Sequence, residues 1–118
     1  MDRTAEARWA GDRDSRLGSR SFEGPYSFSS RFENGSGTTP EELLGAAHAG
    51  CYSMALSLAL SLAGYPPTSV TTTATVHLGK VGPGFAITGI DLATCGVVPG
   101  IAEAEFIRLA EETKTGCI

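Results

Sequence analysis

Thirty-seven consecutive residues of this chain, 43–79, contain no Asp, Glu, Lys or Arg, and only His48 and His77 add basic rings to the stretch. The residues before it carry 6 basic and 8 acidic side chains, and those after it carry 3 and 5. In a chain of 118 residues, so depleted a run either crosses a membrane or is buried from nearly every side.

Local signals say what the run becomes. Thr39-Pro40-Glu41-Glu42 places an N-cap hydroxyl, a proline at the first helical position and a glutamate where a capping box wants one. The spacing predicts a helix from Pro40 to about Ala63, with Gly64 where a left-handed C-cap belongs. At about 1.5 Å per residue it is roughly 36 Å long. Leu44, Ala47, Cys51, Ala55, Leu58 and Leu62 recur at helical spacing, and the opposite side is Ala, Gly and Ser rather than charge.

By length alone residues 43–63 would span a bilayer. Against a span stand His48, three serines, an apolarity made largely of alanine, and flanks without a basic cluster. A subunit this small has too little material to cover so long an apolar cylinder alone. The expectation is a homodimer in which this helix packs against its mate, with Ala46, Ala47, Ala49 and Gly50 allowing close approach.

Strand-like segments flank the helix. Residues 5–9 alternate small or apolar with charged and read as a short strand; residues 11–20 read as a loop. Residues 26–32 alternate again and read as a strand, with Tyr26, Phe28 and Phe32 on one face and Ser27, Ser29 and Arg31 on the other. Asn34 to Gly37 is a turn cluster. Residues 69–78, with Val70, Thr72, Ala74 and Val76 on one face, and residues 85–95 predict a hairpin around a turn at 79–84. Residues 101–115 predict an amphipathic helix with Ala102, Phe106, Leu109 and Ala110 inside and Gly116 as its C-cap. Together these give one α+β domain over 1–118, a long apolar helix packed against antiparallel sheets.

Composition narrows the function. A net charge of −4 leaves no basic surplus for a phosphate backbone, which argues against nucleic acid as a partner. Apolar residues at 42% and charged residues at 19% are globular values. Three cysteines, an odd number, argue against a purely structural disulfide framework. The charged, apolar-poor opening at Met1-Asp2-Arg3 has no secretory pattern, so the expected compartment is the cytoplasm, with thiols reduced.

The cysteines are the candidate chemistry. Cys51 lies on the apolar stripe, three turns into the helix, and from periodicity alone a free thiol there reads as inert core packing. The helix dipole fades within the first turn and cannot activate it. A reactive Cys51 therefore needs a cation from a distant segment. Arg31 is the candidate, with Glu41 or Glu42 to clamp its guanidinium. Cys117 is either an incidental terminal thiol or a partner able to condense with a Cys51 sulfenic acid. Cys95 ends an apolar strand and reads as packing. His48 and Cys51 stand one turn apart but form half a zinc site with no second ligand pair, so no metal is expected. His77 reads as a strand residue with a satisfied ring, and Glu111-Glu112 as a solvated helix face.

The run Thr38-Thr39-Pro40-Glu41-Glu42-Leu43-Leu44-Gly45-Ala46-Ala47-His48-Ala49-Gly50-Cys51-Tyr52-Ser53-Met54-Ala55-Leu56 resembles the central helix of the OsmC/Ohr family, which includes the organic hydroperoxide resistance proteins. Tyr26 to Phe32, Ala63-Gly64-Tyr65, Gly84 to Thr88, Val98 to Ile101 and Lys114-Thr115-Gly116-Cys117 extend the resemblance over nearly the whole chain. It implies an intertwined α+β homodimer with active sites at the interface, and a thiol peroxidase acting on organic hydroperoxides. Cys51 would be the peroxidatic nucleophile, Cys117 the resolving cysteine, and Arg31 the thiolate's cation, paired with Glu41. The resemblance implies no metal, haem or flavin, and an external dithiol of the lipoyl type as reductant.

This sequence departs from the family pattern in two places. Family members continue past Gly116-Cys117 with a further strand, and the segment between Trp9 and Tyr26 is shorter here. Two rival functions remain beside the peroxidase: a carrier of apolar ligands or redox sensor in which Cys51 oxidation only signals, and an inert dimeric domain.

Overall fold

The computed structural model describes residues 1–117. In chain order the elements are β1 (Glu6–Arg8), α1 (Gly11–Asp14), β2 (Arg16–Ser19), β3 (Phe22–Pro25), α2 (Phe28–Phe32), α3 (Pro40–Leu62), β4 (Ser69–Val81), β5 (Gly84–Val97) and α4 (Glu103–Gly116). The architecture is mixed α+β, as the pattern of elements requires. The chain forms two compact units, Met1–Leu43 and the stretch from Leu44 onward.

In the first unit, β1, β2 and β3 form an antiparallel meander, with Ala7 opposite Leu17 and Leu17 opposite Gly24. The predicted loop over 11–20 is thus replaced by α1 and β2. That stretch has little apolar patterning to announce a strand. It is fixed by Ser15, which is buried and whose hydroxyl accepts from the Ala10 N–H and donates to the Gly11 carbonyl.

The strand predicted over 26–32 is the helix α2. Its cause is a reciprocal cap: Ser27 Oγ accepts the Ser30 N–H at 2.9 Å, and Ser30 Oγ accepts the Ser27 N–H at 2.8 Å. Phe28 and Phe32 sit one helical turn apart with ring centroids at 4.9 Å. A spacing of four brings two side chains to one side in either a strand or a helix, so the aromatic pattern did not discriminate.

α3 is bounded as its sequence demands. Thr39 Oγ1 accepts the Glu42 N–H at 3.0 Å. At the other end Gly64 adopts φ +92°, the Tyr65 N–H reaches the Leu60 carbonyl at 2.8 Å, and the Gly64 N–H reaches Ser61 at 3.1 Å. This is a Schellman stop, and the positive φ is what glycine supplies there. By length and composition α3 could cross a membrane.

In the second unit β4 and β5 form one long antiparallel hairpin. Its turn is tighter than the six residues predicted: Gly82, at φ +58°, and Pro83 connect paired Val81 and Gly84. Val70, Thr72, Ala74 and Val76 share the half-buried face, as predicted. A register shift after His77 leaves Thr88 as the extra residue of a bulge.

The buried core of this unit is Tyr52, Leu56, Leu60 and Leu109, with Val70, Leu92, Val98, Ile101 and Phe106 packed around it. The inward face of α3 is therefore Gly45, Tyr52, Leu56 and Leu60. The stripe expected inside lies elsewhere, for Leu44, Leu58 and Leu62 are exposed. A helix apolar all round has no charged face to mark its outside, so periodicity alone could not choose.

α4 begins after Ala102, which is exposed rather than core. Leu109 and Thr113 are buried, and Phe106 and Ala110 are half-buried. Gly116 is the last helical residue, not a left-handed cap; Cys117 caps the helix in an extended conformation, its N–H bonded to the Thr113 carbonyl at 2.9 Å. On the outer face Arg108 bridges Glu105 and Glu112, and its hydrogen bonds hold the Glu105 carboxyl below its ordinary pKa.

Candidate functional site

Cys51 is carried by α3 and Cys117 by the end of α4, 66 residues apart in sequence. Their sulfurs stand 3.1 Å apart, and either thiol can donate to the other. The approach follows from helical spacing. Phe106, Ala110, Thr113 and Cys117 recur three and four residues apart, so Cys117 continues the inward stripe of α4 and packs on the buried core. Both sulfur-bearing residues are half-buried, neither sealed nor fully open. Cys95, expected to pack, is exposed on β5 opposite Thr71, because its parity puts it on the outer face of the hairpin.

Tyr52, the residue after Cys51, is buried, and its hydroxyl donates to the Ala110 carbonyl at 2.8 Å. Its pKa is raised above the ordinary 10.0, first by burial and then by the negative charge that Glu111 and Cys117 can carry. The phenol therefore stays a donor through the neutral range. Helical spacing does not single out Tyr52. Its signal was a lone aromatic with a polar tip inside a helix of small and aliphatic residues.

Within the first unit Arg31 and Glu41 are joined as expected, although Arg31 projects from α2 and not from a strand. Its Nε and Nη2 both donate to Glu41 Oε1, at 3.0 and 2.6 Å. The Glu41 side chain is only 12% exposed while that of Arg31 is 41% exposed. The carboxylate thus acts as a fixed anchor, and part of the guanidinium stays open to a further anion. The same guanidinium lies 5.2 Å from the Phe32 ring centroid, which restricts its swing. Glu42, the other candidate clamp, instead accepts from the Thr38 hydroxyl at 3.3 Å.

The remaining candidates have ordinary surroundings. His77 Nε2 and Asp91 Oδ2 are 2.6 Å apart on the exposed hairpin face, so the ring is partnered as predicted. Among the described residues no group of three or more His, Cys, Asp or Glu side chains could hold a metal ion. A cleft of about 560 Å³ opens in the first unit among charged residues of β1 and β2, including Glu6, Arg8 and Arg16, and is lined by no cysteine.

Comparison with solved structures places the architecture. An organic hydroperoxide resistance protein OsmC from Legionella pneumophila superposes with a TM-score of 0.74 at 21% identity, over 97% of this chain and 84% of that one. The organic hydroperoxide resistance protein OhrB of Bacillus subtilis superposes with a TM-score of 0.71 at 22% identity, over 97% and 85%. The class is thus the α+β fold of the OsmC and Ohr proteins. Sequence carries the assignment further: the OsmC-like protein family model matches residues 33–118. The chain is also 49% identical over 123 residues to the Escherichia coli (strain K12) protein named Peroxiredoxin OsmC, covering 99% of this chain and 86% of that protein. The chain belongs to the OsmC family.

Proposed function

We propose that the chain is a cysteine-based peroxidase that reduces organic hydroperoxides to alcohols. The observation that carries this reading is the 3.1 Å approach of the Cys51 and Cys117 sulfurs. The names of the relatives, a peroxiredoxin and organic hydroperoxide resistance proteins, support it.

In the proposed cycle the Cys51 thiolate attacks one oxygen of the O–O bond. That bond breaks, the Cys51 sulfur is oxidised to sulfenic acid, and the alkoxide leaves and takes a proton to become the alcohol. Cys117 Sγ then attacks the sulfenic sulfur. The S–O bond breaks, the departing oxygen leaves as water with the Cys117 proton, and the sulfurs close from 3.1 Å to the roughly 2.05 Å of a disulfide. An external dithiol, of the lipoyl type in this reading, exchanges with the disulfide and regenerates both thiols while becoming oxidised itself. No bound metal or organic cofactor takes part.

Arg31, anchored by Glu41, is the proposed cation for the thiolate and a hydrogen-bond donor to the peroxide as charge develops on the leaving oxygen. A homodimer formed through the exposed apolar face of α3 is part of the proposal, with the guanidinium delivered to Cys51 at that interface. The exposure of Met54, Leu58 and Leu62 supports it. The apolar surround favours alkyl over hydrogen peroxide.

The test is turnover. The purified chain, given tert-butyl hydroperoxide and reduced lipoamide, is expected to consume peroxide catalytically. Cys51→Ser is expected to abolish consumption and Cys95→Ser to leave it intact. Consumption that survives Cys51→Ser, or a single stoichiometric oxidation with no dithiol-driven cycling, would reject the reading.

A further inference from the structure

We propose that Tyr52 is a positioning residue for the second step of this cycle: its hydroxyl tethers α4 at Ala110 and so holds Cys117 against Cys51. The inference rests on the peroxidase reading and adds a residue and a role to it.

The geometry is specific. Tyr52 follows Cys51 directly on α3, so the nucleophile and the tether share one rigid segment of helix. Tyr52 is 6% exposed, and its hydroxyl donates across to the Ala110 carbonyl at 2.8 Å. Ala110 lies two turns before Cys117 on α4, and Leu109 beside it is buried in the core with Tyr52. Contact between the two sulfurs thus depends on how α4 is held along α3, and the Tyr52 hydroxyl supplies a directional bond between the two helices apart from the sulfur pair itself. Apolar packing of Leu109, Phe106 and Ala110 is non-directional and fixes the sliding and rotation of α4 less sharply than a hydrogen bond does.

The raised Tyr52 pKa fits the role, since burial and the nearby charges of Glu111 and Cys117 keep the hydroxyl protonated and donating. The tether also acts at the right moment. Cys51 sulfenic acid has two fates: attack by Cys117, which forms the disulfide and releases water, or attack on a second hydroperoxide, which gives sulfinic acid and another alcohol. Only the first depends on where Cys117 is held. Tyr52 therefore influences how many turnovers a molecule survives, not how quickly Cys51 first reacts.

Tyr52→Phe keeps the ring and removes the hydroxyl. The full chain and this variant would each be mixed with one equivalent of cumene hydroperoxide. Samples would be quenched with an alkylating agent at intervals, and Cys51 thiol, Cys51–Cys117 disulfide and Cys51 sulfinic acid followed by mass spectrometry. The expected result is an unchanged rate of Cys51 thiol loss, disulfide formation slowed roughly fivefold, on the scale of one neutral hydrogen bond, and more sulfinic acid under excess peroxide. A second readout needs no peroxide. Amide hydrogen exchange at Lys114 to Cys117 in the reduced protein is expected to accelerate in Tyr52→Phe. Equal disulfide rates in the two proteins, a parallel fall in both steps, or unchanged exchange would each overturn the proposal. If the unsubstituted chain forms no Cys51–Cys117 disulfide, the peroxidase reading itself fails and the proposal falls with it.

Discussion

Leu58 separates a solitary chain from a paired one. It sits two residues from Leu56 on α3, yet Leu56 is fully covered and Leu58 is 60% exposed. Fully burying a leucine side chain contributes about 1.5–3 kcal/mol. Covering the exposed part of Leu58 is therefore worth about 1–2 kcal/mol per copy, and about 2–4 kcal/mol per dimer, because a two-fold interface uses the residue twice. In the proposed dimer Leu58→Asp would forfeit that burial and place a carboxylate in an apolar contact. The dimer dissociation constant is expected to rise at least about 30-fold. Sedimentation velocity across a concentration series reads this directly. A wild-type chain that sediments as a well-folded monomer, or a Leu58→Asp variant that associates as tightly as wild type, would refute the pairing of α3 faces.

Other expectations concern stability and rate. Leu56→Ala opens a cavity in the core it shares with Tyr52, Leu60 and Leu109 and is expected to cost about 3 kcal/mol, within the range for such substitutions, read as a lower melting temperature. Arg31→Ala is expected to slow Cys51 oxidation by tert-butyl hydroperoxide by about 10-fold or more, the order of one charge-assisted hydrogen bond, while Arg8→Ala leaves it unchanged; stopped-flow kinetics would check both. The raised Tyr52 pKa also sets a sign. The neutral phenol is favoured in the folded state, so its contribution is fully present below pH 10.0 and is lost as pH rises through the higher folded value. Melting temperatures measured upward from pH 9 are expected to fall more steeply for wild type than for Tyr52→Phe; parallel curves would contradict this.

The parts of the fold legible in the sequence were those fixed by local chemistry. Thr39-Pro40 and Gly64 bound α3 because caps and a positive φ are requirements of a few consecutive residues. The hairpin was legible because Val70, Thr72, Ala74 and Val76 keep strict alternation. Structure departs from pattern where two periods fit one run of residues or where a hydroxyl outweighs it. Phe28 and Phe32 satisfy both spacings, and Ser27 with Ser30 decided for a helix. Ser15 organised a stretch with almost no apolar signal.

The choice of face on α3 was hidden for another reason. Leu56 and Leu58 are the same residue type, and only the covering elements distinguish them. Two pairs were legible through their resemblance to a family pattern: Cys51 with Cys117, whose sulfurs meet, and Arg31 with Glu41, whose side chains are bonded. The hydroxyl of Tyr52 was not, because its partner is a backbone carbonyl on a helix 58 residues away.

The most direct measurement is a disulfide map after one equivalent of organic hydroperoxide. The expected product is an intramolecular link between Cys51 and Cys117, with Cys95 still open to alkylation. A link through Cys95, a link between two copies, or a Cys51 that remains a thiol while peroxide persists would contradict the account.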